Sequence, residues 1–149
     1  MTTLRAVTYN VHKCRGMDGR VSTVRIASVL REIRADVIAL QEVLGHQAEA
    51  IAADLAMAFV LGENRRHRGQ AYGNMVLSRF PIQATHNYDL TVEGREPRGC
   101  LRADLDLNGA GVLQVFNVHL GTALLERRHQ GRKLVAGQVL GDVALGSPR

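Results

Sequence analysis

The hydrophobic pattern of the chain changes period along its length, and the period predicts most of the elements. Leu4 to Val11 alternates and contains Val, Thr and Tyr, which reads as a strand. Ser22 can then cap a helix whose apolar residues Ile26, Val29, Leu30 and Ile33 recur at i, i+3, i+4 and i+7. Asp36 to Leu40 carries a continuous apolar run of strand length, suited to a buried strand. His46 to Leu55 is Ala-rich and helical in character, and Met57 to Leu61 predicts another strand. Arg65-Arg66-His67-Arg68-Gly69 reads as an exposed basic loop.

Beyond that loop the pattern is mainly of strands. Met75 to Ser78 is apolar and ends before Pro81, and Thr85 to Thr91 alternates loosely. Leu101 to Leu107 alternates cleanly, with Leu101, Ala103, Leu105 and Leu107 on one face and Arg102, Asp104 and Asp106 on the other. Asn108-Gly109-Ala110-Gly111 is a hairpin signal leading into Val112 to Leu120. Leu124 to Leu140 has helical composition but a poor apolar stripe, weakened by Gly131 and Gly137, and Leu145 to Arg149 reads as loop. This order predicts a layered α/β or α+β domain over residues 1–149, with no sign of a boundary inside it.

Composition narrows the class. The length of 149 residues fits one domain, and 46% apolar residues is ordinary for a globular chain. No apolar run approaches the roughly 18 residues of a membrane span, and the N-terminus lacks a signal-peptide core, so a cytoplasmic protein is expected. Cys14 and Cys100 are too few for a disulfide framework and are read as free thiols. His12-Lys13-Cys14 matches no common zinc spacing. The net charge of +5, nearly all from Arg, favours polyanions such as nucleic acid or phospholipid headgroups, although genomic base bias produces the same composition.

Five segments place polar residues at the ends of apolar strands: Thr8 to His12, Ala39 to Val43, Gly73 to Pro81, Arg95 to Gly99 and Phe116 to Leu120. Singly, each has a bland reading: Glu42 as a solvated strand end, His119 as a structural histidine, Arg98 as a surface arginine. Together, a carboxylate, two asparagines, an arginine and a histidine at strand ends form a rim suited to handling phosphate.

The order and wording of these segments resemble the endonuclease/exonuclease/phosphatase superfamily. The matching pieces are Asn10, Leu40-Gln41-Glu42, Gly73-Asn74 with Ser78-Arg79-Phe80-Pro81, and Val118-His119-Leu120. Asn10-Val11-His12-Lys13-Cys14-Arg15-Gly16 is similar to the opening of a bacterial metal-dependent hydrolase branch. The resemblance implies a four-layer DNase-I-like sandwich of two mixed β-sheets with outer helices and a site at one sandwich edge. It implies that Glu42 binds Mg²⁺ or Mn²⁺ and that Asn10 orients the metal shell or a phosphate oxygen. His119 would contact the scissile phosphate, Arg98 would clamp it, and Asn74 and Asn117 would support phosphate binding.

The family pattern also includes a Gly-Asp-x-Asn segment and a terminal Asp-His pair. Gly141-Asp142-Val143-Ala144 begins like the first but lacks its Asn, and nothing matches the second. The expectation is therefore an N-terminal portion of the fold, with its second sheet largely unbuilt and no activity alone. Two other readings stand beside a phosphoric ester hydrolase: an Arg-rich nucleic-acid-binding fragment without catalysis, and a module completed by a separate C-terminal half.

Overall fold

The protein is described by a computed structural model covering residues 3–140. Seven strands form two sheets, a mixed four-stranded sheet ordered β1-β2-β4-β3 and an antiparallel three-stranded sheet ordered β5-β6-β7. Their bounds are β1 Ala6–Asn10, β2 Val37–Leu44, β3 Ala58–His67, β4 Gln70–Ser78, β5 Ile82–Asp89, β6 Gly99–Asp106 and β7 Val112–Val118. Helices α1 (Thr23–Ile33) and α2 (Gly45–Leu55) pack on the outer face of the first sheet. Helix α3 (Leu124–Lys133) continues into a π turn, Leu134–Gln138, and Leu134 and Val139 pack with Tyr88, Cys100 and Phe116 of the second sheet. The expected four layers are present.

Local chemistry explains the element ends. Ser22 Oγ accepts from the Arg25 backbone N–H at 3.3 Å, and α1 ends where Arg34 turns left-handed with φ 53°. The apolar stripe of α1 buries Ile26 and Leu30 against Ile38, Leu40, Met75 and Leu77. Between the sheets, Val37 and Val76 meet Leu101, Ala103 and Leu105, so the alternation of β6 is satisfied on that face.

Two expectations need correction. Arg65, Arg66 and His67 are not a loop but the end of β3, paired with β4 through a tight turn. His67 pairs with Gln70, and the two turn residues Arg68 and Gly69 have φ of 49° and 79°, the geometry that matches strand twist in a two-residue hairpin. The second sheet is not largely unbuilt, since three strands of it are in place and its inner face is covered. On the polar face of β6, Arg102 and Asp104 are 1% and 3% exposed and form an ion pair at 2.7 Å. Cys14 and Cys100 are free and buried, and burial pushes their thiols up to about 11 and about 12. No helix among the described residues is long and apolar enough to cross a membrane. The Gly141 to Ala144 segment and the tail to Arg149 lie outside the described residues.

Candidate functional site

The site forms where the first two strands reach the same end of the sandwich. Asn10, the last residue of β1, pairs in parallel with Gln41 of β2. One residue on, the β2–β4 register shifts between Leu40 and Val43, so Gln41 and Glu42 together face Asn74. This is a β-bulge, and Glu42 takes φ 60° within it. Glu42 therefore does not follow the strand end, as the sequence suggests, but sits inside a strand that runs on to Leu44. A left-handed backbone is costly for a residue with a Cβ, by roughly 1–3 kcal/mol, and such residues concentrate at functional positions. Opposite the bulge, Gly73 approaches β3 so closely that a Cβ would collide with the Gly62 carbonyl.

A second strained segment faces the carboxylate. His12, Lys13 and Cys14 all have positive φ, 47°, 56° and 56°, and form one left-handed turn after β1. The turn is fixed by the buried Cys14 and by Gln47 Nε2, which donates to the Lys13 carbonyl at 2.7 Å. It brings His12 Nδ1 to 3.3 Å and Lys13 Nζ to 4.0 Å from Glu42 Oε2. Asn10 completes the arrangement. Its Oδ1 accepts from the His12 backbone N–H at 3.2 Å, so its amide nitrogen must face Glu42 Oε1, 3.1 Å away.

The other wall comes from the second sheet. Cys100 pairs with Val118, which sets Arg98, just before β6, beside His119, just after β7. Arg98 Nη1 lies 3.2 Å from His119 Nδ1. A guanidinium can only donate, so Nδ1 accepts and the proton of neutral His119 stands on Nε2. That nitrogen points toward Glu42 Oε1 at 3.8 Å. The Nε of Arg98 is buried and has no partner among the described residues.

Asn10, Glu42, His119 and Arg98 are thus brought together. Asn74 and Asn117 are not. Both are buried, at 0% and 2% exposure, and they stitch the two sheets instead of facing a phosphate. Asn117 donates to the carbonyls of Leu40 and Met75 and accepts from Gln41 Nε2 at 2.7 Å. Asn74 donates across to the carbonyls of Gly99 and Asn117. Its Oδ1 is buried without a hydrogen-bond partner among the described residues. These bonds fix β2 immediately below the bulge. The phosphate-binding assignment of both asparagines is corrected to a structural one.

Sequence reasoning passed over Tyr72, Lys13 and the turn role of His12. The Tyr72 hydroxyl interacts with Glu42, and Arg65 stacks over its ring at 4.8 Å. Burial and the neighbouring Glu42 push the phenol up to about 12, so it remains a donor.

Burial alone would raise the Glu42 carboxyl. The Asn10 amide, the positive potential of His12 and His119, and Tyr72 outweigh it and hold Glu42 below its ordinary 4.5. His119 is held below its ordinary 6.5, first by burial and then by Arg98, while Glu42 pulls the other way. The unfolded chain therefore takes up a proton at higher pH than the folded one. Stability from His119 is full above about pH 6.5 and is lost as pH falls through that value toward its depressed one. Glu42 adds a further loss below its ordinary value. We expect the His119 ring titration, followed by NMR, to have a midpoint below 6.5 that rises in Arg98→Met and falls in Glu42→Gln. A midpoint indifferent to both substitutions would contradict the contact.

The fold has counterparts among known proteins. The model of the Endonuclease/Exonuclease/phosphatase family matches residues 7–144. Uncharacterized protein YbhP of Escherichia coli K12 is 29% identical, over 97% of this chain and 63% of its own length. An endonuclease/exonuclease/phosphatase from Beutenbergia cavernae superposes with TM-score 0.76 at 29% identity, covering 89% of this chain and 43% of that one. A mannosyl-6-phosphatase from Bacteroides thetaiotaomicron shares the fold, with TM-score 0.75 at 16% identity over 91% of this chain and 59% of its own. The chain spans less than two thirds of the length of each of these relatives. With the family model matched over nearly all of its residues, the chain belongs to the endonuclease/exonuclease/phosphatase family.

Proposed function

We propose that this chain carries the metal-holding and phosphate-binding part of a Mg²⁺- or Mn²⁺-dependent phosphoric ester hydrolase. The observation that carries the reading is Glu42 Oε1 facing His119 Nε2 at 3.8 Å, with the far ring nitrogen of His119 3.2 Å from Arg98 Nη1. Among the described residues no group of three or more His, Cys, Asp or Glu surrounds a point as a full metal cage would. That donor set fits Mg²⁺, which takes one or two carboxylates and completes its shell with water and substrate oxygens. It does not fit a structural zinc.

Glu42 would hold the cation, and Asn10 would orient Glu42 through the bond to Oε1. When bound, the metal polarises the phosphoryl group and stabilises the leaving oxygen. His119 donates its Nε2 proton to a phosphate oxygen, and the Arg98 guanidinium beside it adds a charge-assisted contact. Both donors are placed before the substrate arrives, which is what makes such contacts effective as charge grows.

No Gly-Asp-x-Asn or Asp-His segment of the family pattern is present in residues 1–149. We therefore expect this chain to bind metal and phosphate alone without turnover, and to act once a C-terminal half of the family fold completes it. The test is p-nitrophenol release from bis(p-nitrophenyl) phosphate and from p-nitrophenyl phosphate, which separates diester from monoester preference. The completed protein should lose turnover in EDTA and recover it with Mg²⁺ or Mn²⁺. Undiminished turnover in EDTA would contradict the metal role, and turnover by residues 1–149 alone would contradict the need for a second half.

A further inference from the structure

A basic cleft adjoins the Glu42 site and shares a wall with it. The cleft, of about 480 Å³, is lined by Lys13, Arg15, His46, His67, Arg68 and Gln70 among others, and by no carboxylate. It lies among three segments: the left-handed turn after β1, the first turn of α2, and the β3–β4 hairpin. Lys13 belongs to both places, since its Nζ stands 4.0 Å from Glu42 Oε2 and 5.6 Å from the Tyr72 ring centre.

Arg65 and Arg66 nearby are each paired, with Glu96 and with Glu63 at 3.2 Å. Among the described residues Arg15 and Arg68 have no carboxylate partner, and the one acidic neighbour of Lys13 is Glu42 itself. The first turn of α2 adds the positive end of its dipole to the same space. Arg15 and Arg68 line the cleft without a carboxylate partner among the described residues, and with Lys13 on the same wall they form a field that favours a phosphate group.

We propose that this cleft is a second phosphate subsite, which holds the phosphate next to the one presented to Glu42 and His119 in the same substrate molecule. The substrate class is then an ester carrying two or more phosphate groups, and the positive wall from Arg98 through Lys13 to Arg68 is a track along which they lie. The inference rests on the phosphoric ester reading above and adds the identity of what surrounds the scissile group.

The experiment measures equilibrium binding to residues 1–149 in Mg²⁺ buffer over a range of salt. The probes are thymidine 5′-monophosphate, a 5′-phosphorylated thymidine dinucleotide and propane-1,3-diyl bisphosphate. The dinucleotide should bind roughly tenfold more tightly than the mononucleotide, with a salt slope steeper by about 0.7 for the extra phosphate. The double variant Arg15→Gln/Arg68→Asn should lose that gain while binding the mononucleotide as before, which also shows that it is folded. Asn suits the left-handed turn position of Arg68. An equal gain for the bisphosphate assigns the subsite to small polyphosphorylated esters, and a gain restricted to the dinucleotide assigns it to a nucleotide chain. A dinucleotide that binds no tighter than the mononucleotide, or a gain that survives in the double variant, overturns the subsite. Mononucleotide binding indifferent to His119→Ala and Arg98→Ala, with the dinucleotide gain still dependent on Arg15 and Arg68, counts against the ester site alone.

Discussion

When residues 1–149 are completed by a C-terminal half of the family fold, Glu42→Ala is expected to lower phosphoric ester turnover by about 10²–10³, and His119→Ala by a similar factor. Among the described residues Glu42 is the carboxylate that contacts the rim, held below its ordinary value by Asn10, His12, His119 and Tyr72, so its loss would remove the protein anchor of the proposed cation. His119 presents an Nε2 proton whose contact strengthens as charge develops on the phosphate. Both effects should fall on kcat more than on KM, because the interaction grows in the transition state. The double variant should cost little more than either single one, since the two groups act on the same phosphate. A Glu42→Ala enzyme with unchanged kcat would remove the carboxylate from the mechanism. Additive losses would show that the two residues serve separate steps.

The second large effect is on stability and lies away from the site. Asp104→Ala is expected to destabilise the fold by about 3–5 kcal/mol, the usual cost of breaking a buried pair. Asp104 holds the Arg102 guanidinium through two 2.7 Å bonds, and its carboxylate raises the arginine's pKa further above the solution range. Tyr88 and the Phe116 ring also contact Arg102, but neither neutralises it. Removal of the carboxylate therefore takes a 2.7 Å ion-pair partner from a guanidinium whose side chain is 1% exposed. The control is Asp18→Ala. That pair with Arg25, also at 2.7 Å, has side chains 44% and 54% exposed to screening water, and its loss should cost far less than loss of the buried pair. Urea denaturation of the two variants measures both losses. Equal and small losses would show that water reaches Arg102.

Much of the architecture was legible in the sequence, because burial and period agree there. The stripe Ile26, Val29, Leu30 and Ile33 specified α1, and the clean alternation from Leu101 specified β6. What escaped is what tertiary pairing decides. A run of Arg and His looks like a loop, yet Arg65 to His67 pair with β4 because Arg68-Gly69 can make a left-handed turn. Period alone cannot say whether the polar face of a strand meets water or a covering layer, and Arg102 and Asp104 meet the second.

The site shows the same division. Family wording brought Asn10, Glu42, Arg98 and His119 into view, and the fold places all four at one edge. It also suggested Asn74 and Asn117, which are drawn inward because each has carbonyls to satisfy on the opposite sheet. The bulge at Glu42 depends on two residues opposing one across β4, a relation no local pattern encodes. His12 and Lys13 reach the carboxylate through a left-handed turn built without glycine, so no turn signal announced them.

The proposal that Glu42 holds a divalent cation at the sandwich edge, beside His119, has a direct test. The most direct measurement is a Mn²⁺ titration of isotope-labelled residues 1–149, followed through paramagnetic broadening of NMR signals. It needs no turnover. Substoichiometric Mn²⁺ should broaden the signals of Asn10, His12, Glu42 and His119 first, and Glu42→Gln should abolish the effect. Broadening centred elsewhere, or broadening at the same residues that persists in Glu42→Gln, would contradict it.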